Sequence, residues 1–145
     1  MQFIPYLNFN GNCEEAMAFY AKVLNGKQGP IMRFGDMPPS PGMPTVPDTA
    51  KNFVMHTSVE FGEQELMGSD SVPELCANAV YQKPQGMYIS LRVDTADEGR
   101  RIFDALAQGG QVTMPYDKTF WSPGFGMCTD RFGTPWMVNV AEPSH

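Results

Sequence analysis

The feature that most constrains the fold is a succession of elements that occurs twice along the chain. Each copy reads as a strand, an amphipathic helix and then three further strands. Several matches at one constant offset indicate an internal βαβββ repeat, although two similar helices in an ordinary α+β fold remain the alternative. The matches at an offset of 84 residues are Glu14 with Glu98, Phe19 with Phe103, Ala21 with Ala105, and Gly26 with Gly110.

Both helices carry boundary signals. Asn12 is the predicted N-cap of the first helix, and Asn25-Gly26 provides its C-terminal stop. Thr95 and Glu98 form a capping box at the start of the second helix, which Gly109-Gly110 ends. These signals place one helix near the beginning of each repeat.

The repeat predicts an α+β protein made of two βαβββ modules, 1–70 and 86–142, joined by a connector at 71–85. Each module is expected to form a mixed, curved sheet that resembles half a barrel, with the helix on its convex face. The segment from Met37 to Asp48 contains five prolines and is predicted to be a loop, because proline supplies no ladder donor.

Composition argues against several classes of partner. Sixteen acidic residues against ten basic ones give a formal net charge of −6, and no cluster of Lys and Arg is present, so nucleic acid is not expected. No apolar run approaches the roughly 20 residues that span a bilayer, so no membrane association is expected. Three widely separated cysteines without a CxxC pair indicate free thiols and a cytoplasmic location.

The segment from Phe120 to Asn139 is the most specific part of the sequence. Together with Pro5-Tyr6-Leu7 and the run from Phe34 to Pro38, it makes the chain similar to the vicinal oxygen chelate superfamily of glyoxalases, extradiol dioxygenases and fosfomycin-resistance proteins. Within it the chain resembles the PhnB-like branch, also labelled 3-demethylubiquinone-9 3-methyltransferase-like. The resemblance covers nearly the whole chain, and it implies paired glyoxalase-like half-barrels and a homodimer.

The resemblance also implies where a metal ion would bind. Metal-using members place His and Glu on the first and last strands of their modules, and these places fall at Pro5, at or next to Tyr88, at Glu65 and at Met137. Only Glu65 is a suitable ligand, whereas about three protein ligands are typical of a catalytic ion. We therefore predict no metal and no cofactor.

Residues in register with those places are predicted to face a cavity, because side chains alternate along a strand. An inward Arg92 near Ser90 and Asn139 would suit a carboxylate or phosphonate, although Arg92 could instead reach solvent or Asp94. The predicted cavity-facing residues are Pro5, Leu7, Phe9, Tyr88, Ser90, Arg92, Met137 and Asn139.

Two aromatic residues, Trp121 and Phe125, flank a mobile-looking loop at Ser122-Pro123-Gly124. They could cover a ligand or pack across a subunit boundary, since aromatic side chains favour both places.

Acid–base candidates are few. His56 lies within a predicted strand and could exchange protons near neutral pH, or it could be a half-exposed or satisfied core residue. Glu65 and Tyr116 are further weak candidates. Cys13, at a helix N-terminus, could have a lowered pKa, or it could serve in packing.

Three functions are compatible with these residues. The first is metal-free binding of a small metabolite, an anionic one if Arg92 faces the cavity. The second is an enzyme of lyase, isomerase or transferase type that uses His56, Glu65 or Tyr116. The third is a module whose dimer surface, built on Trp121 and Phe125, is its function. Whether the protein catalyses a reaction stays open.

Overall fold

A computed structural model describes residues 1–38, 41–75 and 80–142 of the protein. They form two units, the first comprising Met1–Gln82 and the second beginning at Lys83. Each unit consists of one helix packed on one face of a mixed sheet. No helix in the described ranges is both long enough and apolar enough to cross a membrane.

The first unit has five strands and one helix, α1. The strands pair in the order β1-β5-β4-β2, with β3 also beside β4, and β1 runs parallel to β5. Short 3-10 turns occupy Phe34–Asp36 and Asp48–Ala50. The elements are β1 Tyr6–Phe9, α1 Cys13–Val23, β2 Lys27–Gln28, β3 Met32–Arg33, β4 Val54–Phe61 and β5 Gln64–Asp70.

The second unit repeats this arrangement with four strands. Their order is β6-β9-β8-β7, and β6 runs parallel to β9 as β1 does to β5. The α+β class and the glyoxalase-like βαβββ architecture are thereby confirmed. The elements are β6 Ile89–Val93, α2 Ala96–Ala107, β7 Gln111–Asp117, β8 Phe125–Thr129 and β9 Pro135–Val140.

The repeat is visible in backbone geometry as well as in sequence. The parallel pair of the first unit ends with Phe9 beside Asp70, and that of the second ends with Val93 beside Val140. Phe9 and Val93 are separated by the same 84 positions as the sequence matches. The offset therefore relates equivalent places in the two units.

Both helices also end in the same way at this offset. Asn25 has φ 56° and Gly109 has φ 76°, the left-handed conformation common at helix C-termini. The glycine that follows each lies close against the sheet, since a Cβ at Gly26 would overlap the Phe61 ring and one at Gly110 would overlap the Thr129 carbonyl. The predicted stops are confirmed.

Each sheet buries one face against its helix; the opposite face is called the far face. In the first unit Phe9 is 1% exposed and its ring lies 6.5 Å from that of Tyr20 in α1. Gly68 allows the helix to approach, because a Cβ there would lie 3.1 Å from Met17 Sδ. The helix face of the first sheet therefore holds alternate residues of β1 and β5 that include Phe9 and Gly68.

This register corrects one prediction. Leu7 and Phe9 were expected to face a cavity, but Leu7 pairs with Gly68 and Phe9 with Asp70 on the helix face. The far-face residues of β1 are Tyr6 and Asn8. The prediction counted back from the helix and was wrong by one residue along β1. Because side chains alternate between the two faces of a strand, an error of one residue assigns every side chain of β1 to the wrong face.

The second core follows the same alternation. In β9 the buried residues are Trp136, Val138 and Val140, and a Cβ at Gly126 in β8 would lie 2.8 Å from the Phe103 ring of α2. The intervening residues of β8 and β9 therefore belong to the far face.

The helix caps differ from one another. The Thr95 hydroxyl accepts a hydrogen bond from Glu98 N at 3.1 Å, which confirms the predicted N-cap of α2. Asn12 occupies the predicted N-cap position of α1, but its side chain makes no capping hydrogen bond. Instead, buried Asp70 accepts hydrogen bonds from Gly11 N at 2.9 Å and Cys13 N at 3.0 Å.

Candidate functional site

The far face of the second sheet carries two rows of side chains that run across all four strands. Their members are successive register partners, so each row crosses the sheet with neighbours about 5 Å apart. The arginine row consists of Arg92, Asn139, Phe125 and Asp117, on β6, β9, β8 and β7 respectively. The methionine row, one step along the strands, consists of Ser90, Met137, Met127 and Met114 in the same strand order.

Arg92 is an exposed cation at one end of its row. Within the described ranges its guanidinium makes no hydrogen bond and no ion pair, and Asp94 is not its partner. Because a guanidinium presents several donors in a planar fork, an unpaired one suits the two oxygens of a carboxylate or phosphonate.

Asn139, the register neighbour of Arg92, has an unusual carbonyl oxygen. Its Oδ1 is buried and has no hydrogen-bond partner among the described residues. A buried acceptor without a donor costs roughly 1–3 kcal/mol, and such groups call for an explanation. A ligand with an O–H or N–H beside its anionic group would satisfy this atom.

Aromatic side chains continue the arginine row. The Trp121 ring stands edge-on to Phe125 at 5.3 Å, and Phe120, 95% exposed, contacts Trp121 at 4.8 Å. The loop between Trp121 and Phe125 is anchored, since the buried Ser122 hydroxyl lies 2.7 Å from the Gly124 carbonyl oxygen. The expectation of a mobile loop is not supported by this bonding.

The structure thus gathers most of the residues predicted to bind a ligand. Arg92, Asn139 and Phe125 share one row, and Ser90 and Met137 are adjacent in the other. Trp121 joins them through Phe125, and Tyr88 lies exposed just before β6. Sequence reasoning missed Met127, although alternation from Phe125 along β8 places it on this face. It missed Met114 because the pairing of β7 with β8 contains two irregularities that alternation alone does not predict.

The far face of the first sheet holds a contact between a tyrosine and a histidine. The Tyr6 hydroxyl lies 3.1 Å from His56 Nδ1, and the two rings stack with centroids 5.7 Å apart. Because the hydrogen bond engages Nδ1, Nε2 is the imidazole nitrogen that can face a substrate. Tyr6 was missed because Pro5 had been taken as the inward residue of β1.

The other acid–base candidates lie elsewhere. Glu65 pairs with Glu60 on β4, and Glu60 is four residues from His56, which corresponds to about 13 Å along the strand. Tyr116 is buried on the helix side of its sheet, where its hydroxyl donates to the Ala96 carbonyl at 2.8 Å. Burial raises the pKa of Tyr116. His56 and Glu65 therefore do not lie together, and the Tyr116 hydroxyl is engaged within the second unit.

Cys13 and Cys128 are buried free thiols. Burial, reinforced by Asp70 and Glu14, raises the pKa of Cys13 to about 12, and burial with Asp130 raises that of Cys128 to about 11. The effect is opposite to the lowering that a helix N-terminus would produce at Cys13. Both thiols are therefore packing residues that stay protonated at neutral pH.

Metal ligands are not clustered in the described part of the chain. Nowhere within it do three or more His, Cys, Asp or Glu side chains come together in a way that could hold an ion. The buried carboxylates are already engaged: Asp70 also accepts from Val54 N at 2.8 Å, and Asp130 accepts from Trp136 Nε1 at 2.8 Å.

A pocket of about 430 Å³ lies in the first unit and is lined by residues of the segment that connects β3 to β4 along the chain. None of the predicted ligand-binding residues lines it. Its walls come from the 3-10 turn at Phe34–Asp36, from the proline-rich segment and from Lys51. The proline-rich segment was predicted to be a loop. The lining residues are Phe34, Gly35, Met37, Pro38, Met43, Pro44, Thr45, Val46 and Lys51.

Comparison with known proteins agrees with this architecture. Residues 1–139 match the family model described as 3-demethylubiquinone-9 3-methyltransferase. Protein YjdN of Escherichia coli (strain K12) is 37% identical over an alignment of 150 positions, which covers 98% of this chain and 97% of that protein.

Two solved structures extend the comparison. Protein PA1353 from Pseudomonas aeruginosa is 43% identical, with a TM-score of 0.86 and 99% of each chain covered. A PhnB protein from Bacillus cereus is 26% identical, with a TM-score of 0.74, covering 97% of this chain and 100% of that one.

Proposed function

The chain belongs to the 3-demethylubiquinone-9 3-methyltransferase family, the PhnB-like branch of the glyoxalase superfamily, and we propose that it binds a small anionic metabolite without a metal ion. The ligand occupies the far face of the second sheet. Arg92 pairs with its anionic group, and Asn139 Oδ1 accepts a hydrogen bond from a donor beside that group. A homodimer, expected from the family, is part of this proposal.

The observation that carries the proposal is that a cation and a buried acceptor, neither with a partner among the described residues, lie next to each other. Arg92 and Asn139 are direct register partners, so their side chains rise from neighbouring strands on one face. A net charge of −6 gives the protein no general affinity for anions, which makes one unpaired arginine on this face more informative. Charge-assisted hydrogen bonds are about twice as strong as neutral ones.

The experiment is native mass spectrometry of the purified protein, followed by denaturation and identification of any released molecule. We expect an anionic small molecule on the wild type and on Arg101→Gln, a matched loss of charge on α2. Arg92→Gln should lose it. A stoichiometric divalent ion found by metal analysis, or equal retention by Arg92→Gln, would contradict the proposal.

A second candidate function is acid–base catalysis on the first unit, which the Tyr6–His56 contact favours. In this proposal Tyr6 orients the ring through Nδ1, and Nε2 exchanges a proton with a carbonyl substrate. The contact supports this proposal with His56 as the acid–base residue, without Glu65 or Tyr116.

Deuterium exchange into the methyl group of pyruvate, followed by NMR, tests this activity. Wild type and His145→Gln should accelerate the exchange, whereas His56→Gln should not. Equal rates for wild type and His56→Gln would exclude His56 as the base for this substrate.

A further inference from the structure

The methionine row lies directly beside the proposed anion site. Met137 is the register partner of Ser90, two positions along β6 from Arg92. Met127 and Met114 follow on the next two strands. The three methionines therefore extend over about 10 Å across the sheet, starting next to the anionic end.

These methionines are accessible to a ligand. Met114 is 41% exposed, and Met127 and Met137 are half-buried, in contrast to Met17, which is fully buried in the first core. Covering their side chains with an apolar group removes hydrocarbon from water on both partners. Methionine is also unbranched and polarisable, so it adapts to apolar groups of different shape.

We propose that the ligands of this face are amphipathic hydroxy acids: a carboxylate at Arg92, a neighbouring hydroxyl that donates to Asn139 Oδ1, and an aliphatic body along the methionine row. This inference rests on the proposed function and names the ligand class for the same site. Because methionines repack, the site accepts bodies of several shapes but requires the charged head.

Titration of protein labelled with ¹³C at the methionine methyl groups tests each part of the ligand separately. The probes are 2-hydroxyoctanoate, octanoate, lactate and octanol. We expect 2-hydroxyoctanoate to bind roughly tenfold or more tightly than lactate, and to shift the Met114, Met127 and Met137 signals. Octanoate, which lacks the hydroxyl, should bind more weakly than 2-hydroxyoctanoate, and octanol should not bind measurably.

Variants distinguish failure of this inference from failure of the proposed function. Met127→Gln should weaken the binding of 2-hydroxyoctanoate about fivefold and leave the binding of lactate unchanged. Met67→Gln, on the far face of the first sheet, should change neither affinity. Equal binding of 2-hydroxyoctanoate and lactate, both lost in Arg92→Gln, would overturn the inference and keep the anion site. Absence of any Arg92-dependent binding would overturn both.

Discussion

Asp70 and Asp130 are buried carboxylates that each fix one loop. Asp70 receives three backbone N–H groups, from Gly11, Cys13 and Val54, and so joins the start of α1 to β4. The first backbone amide of α1, that of Cys13, is thereby occupied from within the protein and is not free to bind an anion.

Replacing this carboxylate should destabilise the fold. In Asp70→Asn an NH₂ group takes the place of one acceptor oxygen and faces a backbone donor, so we expect the free energy of unfolding to fall by about 3 kcal/mol. Urea denaturation measures it. Glu63→Gln, an exposed change in the β4–β5 turn, is the control, and a similar small loss in both variants would contradict the role of Asp70.

The buried thiols predict a loss of stability at high pH. The unfolded Cys13 thiol loses its proton near pH 9.0 and the folded one only near 12, so the folded state binds more protons in that window and stability falls as pH rises. The slope is at most about 1.4 kcal/mol per pH unit per thiol.

Comparison of alanine variants isolates this contribution. In chemical denaturation the pH dependence of Cys13→Ala should be shallower than that of wild type between pH 9 and 12. For Cys128→Ala the difference should end near pH 11. Parallel curves for wild type and Cys13→Ala would show that the folded thiol titrates normally.

At the scale of elements, helix and strand types were predictable because hydrophobic periodicity and stop signals are local. Between α1 and the proline-rich segment the chain forms two short strands, β2 and β3, and between them Gly29 N still donates to the Ser58 carbonyl. The true cap of α1 was not predictable, since Asp70 lies 57 residues beyond Cys13. The prediction of which face of β1 points inward was wrong for a related reason. The register of β1 is set by its pairing with β5, which is distant in the sequence.

The turn after α2 gives a prediction at this scale. A methyl group at Gly110 would overlap the backbone carbonyl of Thr129, which cannot rotate away as a side chain can. Gly110→Ala should therefore lower the free energy of unfolding by about 2–3 kcal/mol, measured by urea denaturation. The adjacent exposed change Gln108→Ala should be nearly neutral; equal effects would mean that the turn tolerates the added methyl.

At the scale of the whole molecule, the repeat produces two units of one topology whose far faces differ. The arginine row in the second unit occupies the level at which the first has Asn8 beside Ser69. The sequence predicted that Arg92, Ser90, Asn139 and Met137 share one face because they are in register with the places at which the family binds a metal ion. That Asn139 Oδ1 has no hydrogen-bond partner among the described residues depends on the three-dimensional packing, which no pattern in the sequence contains.

The central claim is that Arg92 makes the far face of the second sheet an anion site. Calorimetric titration with 2-hydroxyoctanoate tests it most directly, on wild type, Arg92→Gln and the matched control Arg101→Gln. We predict saturable one-to-one binding to wild type and control, weakened at least about tenfold in Arg92→Gln, as expected when a charge-assisted bidentate pair is lost. Equal affinity in all three proteins, or no binding to wild type, would contradict the claim.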